Sequence, residues 1–565
     1  MRSIGCRSVP AGARAAIAVL GACALVAFAG ASAAAVDNAD LAGTATPTPA
    51  PGDASPGATA SARVQLDATR SERQVSPFLF GMHIEWVEDG LGLMDPEAAT
   101  LRKPVVDLLK PLRPPVLRFP GGIHADYYDW KLGDGDPSGR GSSVNVFTGA
   151  SERHRFGTPE YTALLRELGS QALVTANYGT GTPAMAGAWA HRFAEIGVFP
   201  RFWEVGNEIY LSGPNADGPN GKAIFRAPEQ YAADFAAYRA AIQKDLPDAK
   251  VGAIAHLESG AFALAPADDR DWTVKMLAAL GTRADFVAVH DAYAPVILND
   301  AVDFGTDEGR RRAYRAMYAA TLQTQANLDD VAATVARLSP VNQGVPIAVT
   351  EFGPFFGVTR LPDMNVAYVD QSRTLAAALY VASVLDVLIA DPRVFLAAYT
   401  NPIHRYYGSL ITDTPSGLVR TPTYYLYELY RTRFEARLIA TEVVTSPSFA
   451  SSEVGIAKAR KAVPDLLAKA STSADGKRLT VMLVNRSLDH ALATAIEVKG
   501  FAAASADCRM LTAAAPNAIN GPALGATVAA GGPEIRPQEV ACEAAGGSIR
   551  LTVPPIAIVS VVAQG

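Results

Sequence analysis

Eight short apolar runs recur between about residues 75 and 400, and each ends in polar or small residues. They read PFLFGMHI, VLRFPGG, ALVTANYG, FWEVGNE, KVGAIAH, FVAVHDAYA, PIAVTEFG and VFLAAYTNP. Segments with helical character lie between them, including PEYTALLRELG, PEQYAADFAAYRAAIQKDL and SRTLAAALYVASVLDVLIAD. This alternation indicates βα units with a buried parallel sheet. Eight such units in roughly 325 residues predict an α/β fold, a (β/α)₈ TIM barrel over residues 63–430.

The pattern changes beyond Tyr430, where strand-like runs follow one another without helices. Short strands separated by turns predict a β-sandwich over residues 431–565. The segment 63–70 is also strand-like and precedes the barrel, so it is a candidate to pair with this C-terminal domain. A structural role is favoured over carbohydrate binding, because no cluster of exposed aromatic residues stands out there.

The first 35 residues have the features of a secretory signal. Arg2, Arg7 and Arg14 precede the apolar stretch AAIAVLGACALVAFAG, and the small residues ASAAA follow it. A membrane span is the alternative, but glycines interrupt the apolar stretch and a cleavable tract follows. The sequence LGAC also loosely resembles a lipoprotein signal, which would anchor the chain through Cys23. We therefore expect a secreted protein with no transmembrane segment in the mature chain.

Residues 36–62 are rich in Pro, Ala and Thr, which predicts an extended, disordered linker. Loss of the signal removes three arginines and changes the net charge from −6 to −9. An acidic chain of this kind argues against nucleic acid or another anionic polymer as the partner. A neutral substrate such as an oligosaccharide or polysaccharide fits better, and no feature indicates an oligomeric state.

The two cysteines outside the signal, Cys508 and Cys542, lack metal-ligand spacing. In an exported protein they are most simply a disulfide. His83, His256 and His290 follow three different predicted strands and are the alternative set of metal ligands. Carboxylates are available for the chemistry, so we expect no metal and no cofactor.

Polar side chains follow all eight predicted strands. They are Glu85, Arg118, Tyr178, Asn207 with Glu208, His256, His290 with Tyr293, Glu351, and Tyr399 with Asn401. In a TIM barrel the C-terminal ends of the strands and the loops after them form one face, which carries the chemistry. The sequence therefore predicts an active site at that end of the barrel.

Glu208 and Glu351 follow the fourth and seventh predicted strands, so their carboxyl groups should meet at the mouth of the predicted barrel. A pair of carboxyl groups is the minimum needed to cleave a glycosidic bond. One must stay protonated for the leaving oxygen, and the other must stay ionised to attack or stabilise the anomeric carbon. Glu204 shares the facing of Glu208, but a place in the middle of a strand would make it a poor acid.

Neighbouring residues have supporting roles in this interpretation. Asn207 is placed to hydrogen-bond a sugar hydroxyl next to the reacting carbon. Arg118 is placed to keep Glu351 ionised, and His290 or Tyr293 to do so from the other side. Aromatic candidates for stacking on sugar faces are Trp86, Trp130, Tyr178, Trp203 and Phe355, although Trp203 lies within a strand.

Several motifs resemble glycoside hydrolase family 51, the α-L-arabinofuranosidases. They are FLFGMHIEW, VLRFPGG followed by YYDWKLGDG, GNE, and TPTYYLYELY. The likeness covers most of residues 62–430. It implies a retaining enzyme with Glu208 as the acid/base after strand four and Glu351 as the nucleophile after strand seven. By the same resemblance, Arg118, Asn207, Glu85 and Tyr293 bind substrate or support the pair.

Three departures from the family pattern concern the sugar more than the reaction. Ile123 and His124 follow RFPGG, where the family usually has Asn. The nucleophile segment is Thr350-Glu351-Phe352, where the family usually has Asp-Glu-Trp. The segment after Trp86 lacks the usual loop that encloses the furanose ring.

The prediction is therefore a secreted, retaining, α-L-arabinofuranosidase-like hydrolase of plant or microbial polysaccharide that acts by double displacement. Such a mechanism predicts carboxyl groups about 5–5.5 Å apart. Two alternatives stay open: a hydrolase of the same clan acting on a pyranoside such as a β-xyloside, β-glucuronide or β-glucoside, and a non-catalytic glycan-binding protein on a degenerate barrel.

Overall fold

The computed structural model describes residues 59–146, 148–211, 224–257, 269–297, 302–356, 366–404 and 408–565. The predicted signal peptide, Cys23 and nearly all of the predicted linker lie outside these residues. Within these ranges, no helix combines the length and apolar character needed to cross a membrane.

Eight parallel strands form a closed barrel. They are β1 (Gly81–His83), β2 (Val116–Phe119), β3 (Gln171–Ala176), β4 (Phe202–Val205), β5 (Lys250–Ile254), β6 (Phe286–Val289), β7 (Ile347–Phe356) and β8 (Val394–Thr400). Each strand pairs with the next, and β8 pairs with β1 to close the ring. The strands are buried along most of their length, as expected for a parallel sheet covered by helices. The predicted TIM barrel is confirmed.

Helices surround the barrel. They are α1 (Lys103–Leu109), α2 (Thr158–Leu168), α3 (Pro183–Glu195), α4 (Pro228–Asp245), α5 (Asp269–Ala279), α6 (Asp307–Leu338), α7 (Leu375–Ala390) and α8 (Pro422–Arg433). Threonine side chains cap the first turns of α3, α6, α7 and α8 by accepting a backbone N–H. The helices predicted from PEYTALLRELG, PEQYAADFAAYRAAIQKDL and SRTLAAALYVASVLDVLIAD are α2, α4 and α7.

The first predicted strand begins later than expected. The residues Pro77–Phe80 form a 3₁₀ turn, and the strand starts at Gly81. Pro77 has no N–H to give to a sheet, and the hydroxyl of Ser76 accepts the N–H of Phe78. These two local effects favour a turn over a strand. A further short strand, Tyr293–Ile297, lies parallel to the outer half of β7.

The C-terminal domain is built on one ten-stranded sheet. In spatial order its strands are Gln538–Val540, Ser505–Leu511, Ala557–Gln564, Arg478–Asn485, Leu466–Thr472, Arg437–Thr445, Thr59–Gln74, Ala491–Lys499, Ser548–Val553 and Glu543–Ala545. The N-terminal strand Thr59–Gln74 runs antiparallel to one neighbour and parallel to the other. The sheet belongs to the predicted β-sandwich, and Cys508 and Cys542 form the predicted disulfide.

The two faces of this sheet have different partners. On the strand Arg478–Asn485, Leu479, Val481 and Leu483 belong to a core within the C-terminal domain. The alternate residues Met482 and Val484 belong to the large core that includes the barrel. A strand points successive side chains to opposite faces, so a single strand packs against both domains.

Loops of the C-terminal domain also bond to the catalytic end of the barrel. The carboxylate of Asp370, just before α7, accepts the N–H groups of Leu524 and Gly525, both at 2.8 Å. The N–H of Ile456 donates to the carbonyl of Pro295 at 2.9 Å. The second contact lies on the strand Tyr293–Ile297, two residues after a predicted site residue.

Candidate active site

Glu351 lies on β7, and four cationic or hydrogen-bonding groups surround its carboxylate. Nη1 of Arg118 donates to Oε1 at 2.6 Å, and the hydroxyl of Tyr293 donates to Oε2 at 2.9 Å. Nδ1 of His83 lies 3.3 Å from Oε1. Burial alone would raise the pKa of Glu351, but the charges of His290, His83 and Arg118 outweigh it and hold that pKa well below its usual range. Glu351 is therefore ionised, as a nucleophile must be.

Arg118, at the end of β2, joins the groups that surround Glu351 into one network. Its fully buried guanidinium donates to Glu204, to Asn207 Oδ1 at 2.7 Å and to Glu351, and its Nη1 lies 2.8 Å from Nδ1 of His83. Burial lowers the pKa of Arg118, but the two glutamates raise it further than burial lowers it. The planar fork of donors suits this role, which a lysine could not fill.

Glu208 follows β4, and its carboxyl group faces His290. Its Oε1 lies 2.8 Å from Nδ1 of His290. The other ring nitrogen of His290 lies 3.1 Å from the hydroxyl of Thr350, the residue before Glu351. One imidazole therefore stands between the segments that carry the two carboxylates. The structure thus brings the two predicted catalytic residues to the same end of the barrel.

Glu204, the rival of Glu208, is placed as a structural residue. Its carboxylate is fully buried and accepts hydrogen bonds from Arg118 and, at 2.8 Å, from the hydroxyl of Thr175. A carboxylate held in this way within the barrel cannot reach a glycosidic oxygen.

Glu85 follows β1 and forms a second carboxylate cluster with two histidines. Nδ1 of His124 donates to Oε2, and Nε2 of His83 lies 3.6 Å from Oε1. Burial raises the pKa of Glu85, but these two histidines lower it to about 2. A side chain at Gly122 would place its Cβ 2.7 Å from the Glu85 carboxylate, so the glycine leaves room for it. His124 lies just after RFPGG, where family 51 usually has Asn. Its ring donates a hydrogen bond to Glu85, which is predicted to bind substrate.

Trp86 and Tyr178, predicted to contact the sugar, are core residues in the structure. The indole of Trp86 is 1% exposed and stacks on His154 with ring centroids 4.1 Å apart. The ring of Tyr178 packs against Tyr231, and its hydroxyl donates to Asp234 of α4 at 3.0 Å. Large rings at the ends of strands can bury either toward the mouth or under the helices; the ring of Tyr178 packs against α4, and that of Trp86 against His154.

Three further supporting residues were not predicted, beyond His83 and His124 described above. Asp126 accepts the backbone N–H groups of Tyr178, Gly179 and Asn207 at 2.9–3.0 Å and so ties together the ends of β3 and β4. Burial raises its pKa to about 7 against those hydrogen bonds. The other two are Thr350, described above, and Thr400, whose hydroxyl lies 2.7 Å from that of Tyr293. Of the three, only Thr400 has a signal in the sequence, because it ends the strand Val394–Thr400.

The three histidines considered as metal ligands have separate partners. His83 contacts Arg118 and Glu351, His256 contacts Asp291, and His290 contacts Glu208. In the described ranges, no group of three or more His, Cys, Asp or Glu side chains is arranged to hold a metal ion.

Comparison with known proteins agrees with this arrangement. The family model of the α-L-arabinofuranosidase C-terminal domain matches residues 356–556. An intracellular exo-α-L-arabinofuranosidase from Bacteroides ovatus is 24% identical over 488 residues, which are 80% of this chain and 87% of that protein. An intracellular exo-α-(1→5)-L-arabinofuranosidase from Streptomyces lividans is 26% identical over 41% of this chain and 37% of its own length. The crystal structure of a family 51 arabinofuranosidase from Xanthomonas axonopodis pv. citri superposes with a TM-score of 0.71 at 22% identity, covering 89% of this chain and all of that one.

Proposed function

We propose that this chain, a glycoside hydrolase related to the family 51 α-L-arabinofuranosidases, cleaves α-L-arabinofuranosidic bonds with retention of configuration. The observation that carries the proposal is the pair Glu208 and Glu351, with His290 in contact with Glu208 and with Thr350, the residue before Glu351, and with Glu351 held ionised by its neighbours. The names of the Bacteroides ovatus and Streptomyces lividans relatives support the choice of sugar.

The proposed reaction has two displacements. Glu351 attacks the anomeric carbon while Glu208 donates a proton to the leaving oxygen, so that a covalent glycosyl-enzyme forms. Glu208 then removes a proton from water, which attacks the same carbon and releases Glu351. Arg118 and Tyr293 bond to the Glu351 oxygens, so they stabilise the carboxylate before the first step and as it departs in the second.

Two groups support recognition of a neutral sugar. Oδ1 of Asn207 is occupied by Arg118, whereas its Nδ2 is unpaired among the described residues and is the group assigned to a sugar hydroxyl. Glu85 is ionised, with a pKa of about 2, and its side chain is 17% exposed. An ionised carboxylate accepts strong hydrogen bonds from hydroxyl groups, which suits a sugar ring with several hydroxyls.

A panel of 4-nitrophenyl glycosides tests the sugar and the reaction together. We expect hydrolysis of the α-L-arabinofuranoside and its loss in Glu351→Ala. Hydrolysis of a β-xyloside, β-glucuronide or β-glucoside in its place would support the pyranoside alternative. Proton NMR of the first product tests retention. Activity that survives in Glu351→Ala, or silence across the panel, would reject the assignment.

Export is part of the proposal and rests on the N-terminal sequence and on the disulfide Cys508–Cys542, a bond that persists in oxidising compartments. N-terminal sequencing of the mature protein is the test. A start near residue 36 in the soluble exported fraction is expected. A membrane-bound form that Cys23→Ser releases would instead indicate a lipid anchor, and an unprocessed chain inside the cell would contradict export.

A further inference from the structure

A second buried histidine and carboxylate pair lies next to the acid/base segment, and the reaction described above does not use it. Nδ1 of His256 lies 2.6 Å from Oδ1 of Asp291, and each residue is 2% exposed. His256 follows β5 and Asp291 follows β6, so the pair connects two neighbouring strand ends at the catalytic face of the barrel.

This pair reaches the acid/base segment through an aromatic ring. The imidazole of His256 stacks on Tyr210, with ring centroids 5.1 Å apart and planes 13° apart. Tyr210 is buried and lies two residues after Glu208. Asp291, for its part, directly follows His290, whose Nδ1 lies 2.8 Å from Glu208.

The turn after β6 therefore holds the Glu208 segment at two points. His290 contacts the carboxyl group itself, and Asp291 acts through His256 on the ring of Tyr210. A second aromatic contact, to Trp272 of α5, also holds Tyr210.

The backbone at Glu208 needs such support. Its φ is +48°, in the left-handed region that side chains rarely adopt, and a single 3₁₀ turn, Ile209–Leu211, follows it. A strained residue of this kind persists only where its surroundings determine it. A three-residue 3₁₀ turn cannot supply that rigidity alone.

We propose that His256 and Asp291 are positioning residues for the acid/base. The carboxylate of Asp291 orients the imidazole, the imidazole fixes Tyr210, and Tyr210 fixes the backbone from which Glu208 reaches the leaving oxygen. The inference rests on the proposed function, because it assigns proton donation to Glu208.

The dependence of rate on the leaving group tests this role. A good leaving group such as 2,4-dinitrophenol departs without a proton, whereas phenol needs the acid. In Asp291→Asn and His256→Gln, kcat/KM for the phenyl glycoside should fall about 10- to 100-fold, the range expected for a displaced catalytic group. For the dinitrophenyl glycoside of the same sugar the fall should be less than about threefold, since proton transfer contributes little there. Tyr210→Leu should give the same pattern.

The C-terminal domain offers a matched control. His490 and Asp465 form a similar pair there, with Nε2 and Oδ2 2.8 Å apart and the carboxylate of Asp465 buried. Asp465→Asn should lower the melting temperature without changing the ratio of the two rates. Equal losses on both substrates in Asp291→Asn, His256→Gln and Tyr210→Leu would overturn the positioning role, as would no loss on either.

Glu208→Ala distinguishes a failure of the proposed function from a failure of the positioning role alone. It should show the largest selectivity for the dinitrophenyl glycoside. If Glu208→Ala loses both substrates equally, the proposed function itself fails. If it shows the selectivity and the three variants above do not, only the positioning role of His256 and Asp291 fails. Should Asp291→Asn not fold, His256→Gln and Tyr210→Leu carry the same comparison.

Discussion

Tyr293 is the residue through which the ionisation of Glu351 is most simply tested. In Tyr293→Phe, Glu351 loses a hydrogen bond donated to its charged form, so its pKa rises. Catalysis needs the ionised form, so the acid limb of kcat/KM against pH should move to higher pH. The loss of one preorganised donor should also lower kcat by about 10- to 100-fold.

Tyr161→Phe is the control for that measurement. Tyr161 also uses its hydroxyl inside the barrel wall, where it donates to the carbonyl of Leu117 at 2.6 Å. Its loss should cost about 1 kcal/mol of stability and leave the acid limb in place. An acid limb that stays fixed in Tyr293→Phe would contradict the role given to that hydroxyl.

Individual site residues could be predicted from the sequence only where they lie at the end of a predicted strand, because that position places the side chain at the mouth of the barrel. Glu85, Arg118, Asn207, His290 and Tyr293 all follow strands, and all join the network around the carboxylates. Roles that depend on a partner from another strand, such as the pairing of His124 with Glu85, leave no local trace in the sequence. The facing of a ring after a strand end is equally invisible, as for Trp86 and Tyr178, whose rings pack against His154 and Tyr231.

At the level of elements, the contact between the C-terminal domain and the strand Tyr293–Ile297 predicts that the two domains are coupled. Gly455 has a φ of +57°, and a Cβ there would lie 2.0 Å from the Pro295 carbonyl oxygen. Gly546 has a φ of +59° and no atom within 4 Å of the same position. Both alanine variants incur the left-handed strain of about 1 kcal/mol.

Only Gly455→Ala should push against the strand that carries Tyr293. We therefore expect Gly546→Ala to lower the unfolding free energy by about 1 kcal/mol with normal kcat. Gly455→Ala should in addition lower kcat about tenfold, since small displacements near a reacting group are costly. Chemical denaturation and steady-state kinetics on both variants provide the measurement. Equal kcat values would show that the segment around Gly455 only packs against the strand Tyr293–Ile297.

Elements were predictable where periodicity was strong. The helices α2, α4 and α7 and all eight barrel strands have clear patterns and lie close to their predicted places. The strand Leu466–Thr472 has a weak local pattern, because its buried face is carried largely by the small residues Ala468 and Ala470. Its place in the sheet depends on pairing with distant strands, Arg437–Thr445 and Arg478–Asn485, which no local pattern encodes.

For the whole molecule, the lowered pKa values predict a loss of stability in acid. Glu351 and Glu85 have folded pKa values below their unfolded ones, so each stabilises the fold above about pH 4.5 and loses that contribution at lower pH. For Glu85 the loss extends from about pH 4.5 to about pH 2. Asp126 has the opposite sign: its pKa is raised to about 7, so its contribution decreases as the pH rises from about 4 to 7.

Urea unfolding between pH 7 and pH 2.5 measures these contributions. The wild-type chain should lose stability steeply below pH 4.5. In Glu85→Gln the unfolding free energy should fall less over this pH range, by up to about 3 kcal/mol. A shift of the Glu85 pKa from 4.5 to about 2 corresponds to that much free energy. A Glu85→Gln curve parallel to that of the wild type would contradict the charge pairing of Glu85 with its histidines.

The central claim is that Glu351 becomes covalently bonded to the sugar and Glu208 completes the turnover. Mass spectrometry of Glu208→Ala mixed with a 2,4-dinitrophenyl α-L-arabinofuranoside tests it most directly. Without its base the variant should accumulate the glycosyl-enzyme, with one pentosyl group on the peptide that contains Glu351. An adduct on another residue, or complete turnover with no adduct at any time, would contradict the account.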